Sequence, residues 1–421
     1  MEKDFSKIDK AIEVLSSIRK HREENPTSKA EYLWYKYYAD TLIKVRKAWE
    51  NDEFIVGTFD FIPAEICYAM DLPFIGLAVY GPGAITVINK LEEESLNAAR
   101  QLGLLLETCS GWRMTVGLIA KHWFPKLGTI VSANTTCDTC NKIWQLMANL
   151  EDIPGYMVDV PFPAADPKNL DYVRDEMAGL ISFLEEASGH KMDLDKLREC
   201  VIRAQKMVEI NLEIRELIRA KPTPITTRMT AQSYWINWLY SGLPEGVAFL
   251  EALRDELKDR VERGVGGSRA KEKYRLLAIP PSPQTRGKTM NWLAKEYGVV
   301  TVASTFMFWK DIELNTEDPI MGITQKFLHN PINRQFFNPC ESEEGIVTDT
   351  LNSVEELGID GVIIWGNPAC DATSGWGKIM RDRLEEVNIP SAVMDHDPAD
   401  ITYTPEDTLK EMLEEFVDLL E

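Results

Sequence analysis

Short apolar runs recur along this chain at intervals too wide for hairpins, and that rhythm constrains the fold more than any other feature. Phe54–Gly57, Phe74–Val79, Gly128–Val131 and Tyr156–Val160 form a first group, and Arg275–Ile279, Gly298–Val302, Gly361–Trp365 and Ser391–Met394 a second. Most are apolar along their length instead of alternating with polar residues, which is the pattern of strands buried on both faces of a parallel sheet. The stretches between them have helical periodicity and leave room for crossover connections. The expectation is an α/β protein with two Rossmann-like (flavodoxin-like) parallel-sheet domains, a helical N-terminal segment and a helical linker. The predicted divisions are a helical segment at 1–50, a first α/β domain at 51–165, a helical linker region at 166–270 and a second α/β domain at 271–421. The linker ends in the glycine-rich joint Arg263-Gly264-Val265-Gly266-Gly267-Ser268. A chain of 421 residues with 44% hydrophobic content has enough apolar material for two such cores.

Charge narrows the partners. With 67 acidic against 46 basic residues the net charge is −21, which argues against nucleic acid or an anionic membrane as the main partner. The opening MEKDFSKIDKAIEVL is charged and helix-periodic instead of carrying an apolar signal core, so a cytoplasmic location is expected. Seven cysteines, an odd number, point to free thiols, metal ligation or redox chemistry more than to a disulfide framework.

In open α/β sheets ligands bind beyond the carboxyl ends of the strands. Three such places carry cysteine: Thr135-Thr136-Cys137-Asp138-Thr139-Cys140, Gly366-Asn367-Pro368-Ala369-Cys370, and Thr108-Cys109-Ser110-Gly111-Trp112-Arg113. Thiolates select soft or borderline metals, and sulfur-rich sites suit zinc or iron–sulfur clusters. His21, His122, His190, His329 and His396 show no metal-ligand spacing, which makes a cluster a better fit than a mixed Cys/His zinc site. The Cys137-Asp138-Thr139-Cys140 pair also reads as a dithiol redox motif or half of a zinc site, although no second such pair is present. Cys67 and Cys200 lie in helix-like apolar patterns and read as small core residues. His396, between Asp395 and Asp397, reads as part of a solvated loop. No P-loop occurs, so the chain is not expected to hydrolyse a nucleotide, and Gly81-Pro82-Gly83 is a turn signal without a dinucleotide fingerprint.

Taken in order, the motifs resemble those of the 2-hydroxyacyl-CoA dehydratase and benzoyl-CoA reductase family. Pro63-Ala64-Glu65-Ile66, with Ala69 and Leu72-Pro73, is similar to its Pro-x-Glu segment. Cys109-Ser110-x-x-Arg113 resembles the first cysteine region. Thr136-Cys137-Asp138, between Ser132-Ala133-Asn134 and Lys142-x-Trp144, resembles the second, and Asp159-Val160-Pro161 follows it. Asp360-Gly361-Val362 leading to Cys370, then Ile389-Pro390 and Asp395-His396-Asp397, resembles the third.

The resemblance implies a subunit that holds a 4Fe-4S cluster on Cys109, Cys137 and Cys370 with one iron left open. It implies a paralogous second subunit, in a heterodimer or larger assembly, and a separate ATP-hydrolysing iron–sulfur activator. The implied reaction is dehydration of an (R)-2-hydroxyacyl-CoA to a 2-enoyl-CoA through a ketyl radical, or reduction of an aromatic acyl-CoA such as benzoyl-CoA. Glu65 is carried over as a catalytic proton shuttle, beside the plainer reading of an acid at a helix N-terminus. Arg113 and Trp365 are carried over as acyl-CoA-binding residues. The plainer readings are a surface helix arginine and, for Trp365 with Trp309 and Trp376, core bulk. Cys140 and Cys340 depart from the family pattern as candidate extra ligands. They raise the alternative of a double-cubane 8Fe-9S cluster in an ATP-dependent reductase of small molecules; a non-catalytic partner chain is a third reading. The segment Thr404–Leu409 follows the family's ending but lacks its usual arginine.

Overall fold

The computed structural model describes residues 3–59, 62–280, 287–397, 399–400 and 402–421. It contains two four-stranded sheets, both wholly parallel. The first comprises β1 (Val56–Thr58), β2 (Phe74–Gly76), β3 (Thr129–Ala133) and β4 (Gly155–Val158), in the order β2-β1-β3-β4. The second comprises β5 (Tyr274–Ile279), β6 (Val299–Ser304), β7 (Gly361–Gly366) and β8 (Ser391–Asp395), in the order β6-β5-β7-β8. The two orders are the same flavodoxin-like winding, so the expected fold class holds. In each sheet the chain moves one way from its first strand and returns to add the third, which places the topological switch point between β1 and β3 and between β5 and β7.

One run departs from expectation. Phe74–Val79 is not one strand: β2 stops at Gly76, a short helix covers Leu77–Tyr80, and a π-helical turn covers Gly81–Thr86. Thr115 Oγ1 donates to the Leu77 carbonyl at 3.2 Å, satisfying a backbone acceptor outside the ladder. Leu77, Val79 and Tyr80 are buried in this conformation, as they would be in a strand, so apolarity cannot distinguish the two.

The chain divides into two compact units. One comprises Met1–Met207, Ile236–Phe249 and Glu313–Leu328; the other comprises Val208–Trp235, Leu250–Ile312 and His329–Glu421. Each unit contains one of the sheets. In the first, helix Lys29–Glu50 starts where Ser28 Oγ accepts the Glu31 N–H at 3.0 Å, a cap that satisfies one of the helix's orphan donors. Its buried stripe of Leu33, Trp34, Tyr38, Leu42, Val45 and Trp49 follows helical spacing, and each large side chain removed from water contributes roughly 1.5–3 kcal/mol. In the second unit, helix Glu406–Asp418 buries Leu409, Leu413 and Phe416 with Leu276, Ile363, Trp365 and Met394 of the sheet. Buried Arg275 is held there by its neighbours' oxygens: Nε donates to Leu357 O at 2.8 Å, Nη2 to Ile218 O at 3.0 Å and Nη1 to Glu272 Oε1 at 2.7 Å. No described helix is long and apolar enough to cross a membrane.

The helices Glu92–Gln101 and Ser110–Ala120 cross closely at Gly117, where an added Cβ would lie 2.0 Å from the Ser95 carbonyl oxygen. That obstacle is backbone and cannot rotate away. Gly117→Ala is therefore expected to lower stability by about 1–3 kcal/mol through overpacking, read as a lower urea-unfolding midpoint with an unchanged slope.

Candidate functional site

In the first unit the carboxyl ends of β1 and β3 lie side by side, with Phe59 N–H donating to Val131 O at 2.8 Å. The Phe59 ring stacks on Trp112 with centroids 4.2 Å apart and planes 15° from parallel. Trp112 belongs to helix Ser110–Ala120, whose N-terminal flanking residue is Cys109. Beyond β3 the chain turns through Thr136, in a left-handed conformation with φ 71°, before helix Cys140–Glu151. This turn presents Cys137 to a ring of donors: its sulfur is hydrogen-bonded by the Cys140 side chain, the backbone N–H groups of Cys140 and Thr139, and the Trp112 side chain. The Cys140 hydrogen bond is the largest influence, and together these donors hold the Cys137 thiol below the ordinary thiol range despite burial. A helix N-terminus adds to the effect, and the thiolate is the form that ligates metal.

Cys370 lies in the turn after β7, the same place in the second sheet that Cys137 has in the first. Its N–H donates to Asn367 O at 2.9 Å, and Asn367 Oδ1 accepts the Ala369 N–H at 3.0 Å, so the turn is closed by its own residues. Cys340 is in a separate turn of the second unit, its carbonyl accepting from Val347 N–H at 2.9 Å. Cys109, Cys137, Cys340 and Cys370 are half-buried, and Cys140 is buried. Cys109, Cys137 and Cys140 thus belong to the first unit, and Cys340 and Cys370 to the second. Among the described residues no three His, Cys, Asp or Glu side chains already converge as a metal-binding group. The donor chemistry at Cys137 nonetheless fits a soft-metal ligand: a thiolate stabilised by several N–H and S–H groups is what an iron–sulfur cluster takes from a protein.

Glu65, in the first turn of helix Ala64–Ala69, is fully buried, and both its oxygens accept from Lys326 Nζ, at 2.9 and 3.1 Å. The side chains of Lys326 and Glu65 are 6% and 0% exposed, so this pair is outside the reach of solvent screening. Gly242, at φ 64°, fits against it; a Cβ there would lie 2.6 Å from Glu65 Cγ. Lys326 is the partner that sequence reasoning missed. Burial, then the Glu65 charge, pushes the thiol of Cys67 up to about 12 and that of Cys200 up to about 11. Both stay protonated, in keeping with core residues.

Arg113 is buried, and its Nε donates to Thr108 O at 2.8 Å, which fixes the loop entering Cys109. Trp365 is fully buried in the core of the second sheet with its ring perpendicular to His396 at 5.3 Å. His396 is buried as well, which corrects the reading of a solvated loop. Trp309 and Trp376 are also buried. A cavity of about 420 Å³ in the first unit, lined by Tyr37, Tyr68, Pro73, Phe74, Tyr240 and Glu245 among others, borders the amino end of β2 and includes none of the candidate residues.

Two parallel flavodoxin-like sheets, each with a cysteine in the turn after its corresponding strand, make this an α/β protein with free cysteines at its strand ends. Residues 60–420 match the model of the 2-hydroxyglutaryl-CoA dehydratase D-component family, and the chain belongs to that family. It is 26% identical over 293 residues to the (R)-phenyllactyl-CoA dehydratase alpha subunit of Clostridium sporogenes, covering 68% of this chain and 69% of that one. It is 24% identical over 315 residues to a benzoyl-CoA reductase subunit of Thauera aromatica, covering 70% and 71%. It is 24% identical over 282 residues to the alpha subunit of (R)-2-hydroxyglutaryl-CoA dehydratase of Acidaminococcus fermentans, covering 64% of this chain and 56% of that relative's length.

Proposed function

We propose that the chain is the cluster-bearing subunit of an acyl-CoA dehydratase or reductase, acting with a paralogous second subunit and supplied with electrons by a separate ATP-hydrolysing iron–sulfur activator. The observation that carries this reading is the donor-ringed Cys137 in the turn after β3. Relatives named as dehydratases of hydroxyacyl-CoA thioesters and as a benzoyl-CoA reductase support an acyl-CoA thioester as substrate. When bound on Cys109, Cys137 and Cys370, a 4Fe-4S cluster would supply single low-potential electrons and an iron open to a substrate oxygen.

The chain's own residues prepare that chemistry. The N–H groups of Thr139 and Cys140 favour thiolate at Cys137. Arg113 fixes the carbonyl of Thr108 and with it the approach to Cys109. The stacked rings of Phe59 and Trp112 form a buried apolar floor on the side of helix Ser110–Ala120. Glu65 offers two carboxylate oxygens, oriented by Lys326, for holding or passing a proton. A second reading, a double-cubane 8Fe-9S cluster in a reductase of small molecules, is favoured by one observation, the placement of Cys140 against Cys137.

The test is iron and acid-labile sulfide in protein purified without oxygen, alone and with any co-purifying partner. About four irons per chain supports the single cubane and about eight the double one. No iron in either preparation sinks the proposal.

A further inference from the structure

We propose that the cavity at the amino end of β2 is a binding site for an organic amine, its ammonium group against Glu245 and its apolar body among aromatic rings. The cavity measures about 420 Å³, the size of a small-molecule site, and lies apart from the cysteines, which follow strands at their carboxyl ends. Its walls are aromatic: Tyr37 and Tyr240 have ring centroids 6.0 Å apart, and Tyr68 and Phe74 complete the lining beside them. The Tyr240 ring is pinned, because its hydroxyl donates to Tyr37 O at 2.9 Å and lies 2.9 Å from the hydroxyls of both Thr41 and Tyr80. The rings of Tyr37 and Tyr68 already attract cations from outside the lining, with Lys36 Nζ 5.1 Å and Lys196 Nζ 4.7 Å from their centroids.

Charge decides what the cavity takes. Of its four carboxylates, Asp40 is paired with Arg19 at 3.1 Å and Lys36 at 2.6 Å, Asp71 is paired with Lys196, and Glu53 is exposed and accepts from Asn51 Nδ2 at 3.0 Å. Glu245 differs. It stands in the first turn of helix Pro244–Glu262, and its Oε2 is buried with no hydrogen-bond partner among the described residues. A carboxylate oxygen withdrawn from water without a donor is costly, and a ligand that brings the donor removes that cost. An ammonium group supplies three N–H donors and the opposite charge, and aromatic faces attract the same cation. The lining lysines, Lys44 and Lys47, are exposed, so solvent screens their charges from a ligand held inside.

The experiment is a calorimetric titration of the full chain at neutral pH with phenethylamine and, separately, with phenethyl alcohol, which has the same body and no charge. The amine is expected to bind with a dissociation constant of about 1 mM or tighter, and the alcohol at least about tenfold more weakly. Glu245→Gln keeps the shape of the side chain and removes its charge, so it is expected to bind the two probes alike. Glu53→Gln, which removes an exposed charge of the same lining, is expected to keep the preference for the amine. No heat from the amine at about 10 mM, equal binding of amine and alcohol, or a preference that survives Glu245→Gln overturns the proposal. Urea unfolding of each variant shows whether it is folded. If Glu245→Gln is not, the unaltered protein and Glu53→Gln decide: a preference present in both supports the site, and one lost in Glu53→Gln moves the recognition to the exposed rim and overturns it.

Discussion

Lys326→Met is expected to destabilise the protein by about 3–5 kcal/mol, because it leaves the buried carboxylate of Glu65 without its cation. Glu65 accepts both of its ion-pair hydrogen bonds from that one ammonium, and its side chain is fully buried. The thiols beside it cannot take over. Cys67 and Cys200 are protonated thiols whose S–H groups are weak donors, and Gly242 occupies the adjoining space so closely that even a Cβ would collide. The loss is measured as a drop in the urea-unfolding midpoint; a change below about 1 kcal/mol would mean that water enters and replaces the lysine, as at exposed pairs. Replacing the pair by apolar residues, Glu65→Leu with Lys326→Met, is expected to recover most of the lost stability, since desolvation offsets much of a buried pair's attraction. The double variant also separates the roles of Glu65. Acyl-CoA turnover that returns with stability makes the pair a structural clamp, whereas a stable but inactive double variant places the carboxylate in the chemistry.

The fold was far more legible than this pair. Each apolar run holds a strand because parallel strands buried on both faces must be apolar throughout, and a run of that kind is visible without knowing its neighbours. The misread end of β2 has the same cause: burial makes Leu77–Tyr80 apolar whether extended or helical, and the Leu77 carbonyl bonds the Thr115 hydroxyl, distant in sequence, as well as the helix's own Gly81 N–H. The cysteines stood out because they follow strands, where ligands bind. Lys326 did not, because it is separated from Glu65 by 261 positions and sits in a helix whose other residues read as ordinary core. Charge misled at His396, flanked by two aspartates in sequence yet packed edge-on against Trp365. The donors around Cys137 include two backbone N–H groups, which leave no mark on residue identity.

Removing the proposed ligands has the largest functional effect. Cys109→Ala, Cys137→Ala and Cys370→Ala are each expected to reduce acyl-CoA turnover in the assembled enzyme by at least about 100-fold, the upper end of what loss of an outer-shell partner alone costs, together with a fall in iron per chain. Cys340→Ala is expected to leave both unchanged, its half-buried thiol lying in a separate turn closed by its own backbone. Cys140 is the informative case, because it is the largest influence on Cys137 as a hydrogen-bond donor and a candidate ligand as well. Serine separates these roles: its hydroxyl donates at least as well as a thiol, and its hard oxygen is a poor ligand for an iron–sulfur cluster. With a single cubane on Cys109, Cys137 and Cys370, Cys140→Ser keeps about four irons and most of the activity, while Cys140→Ala, which removes the donor, loses about 10–100-fold. With a double cubane ligated by Cys140, serine and alanine lose iron alike, so the difference between two substitutions at one position decides the nuclearity of the cluster.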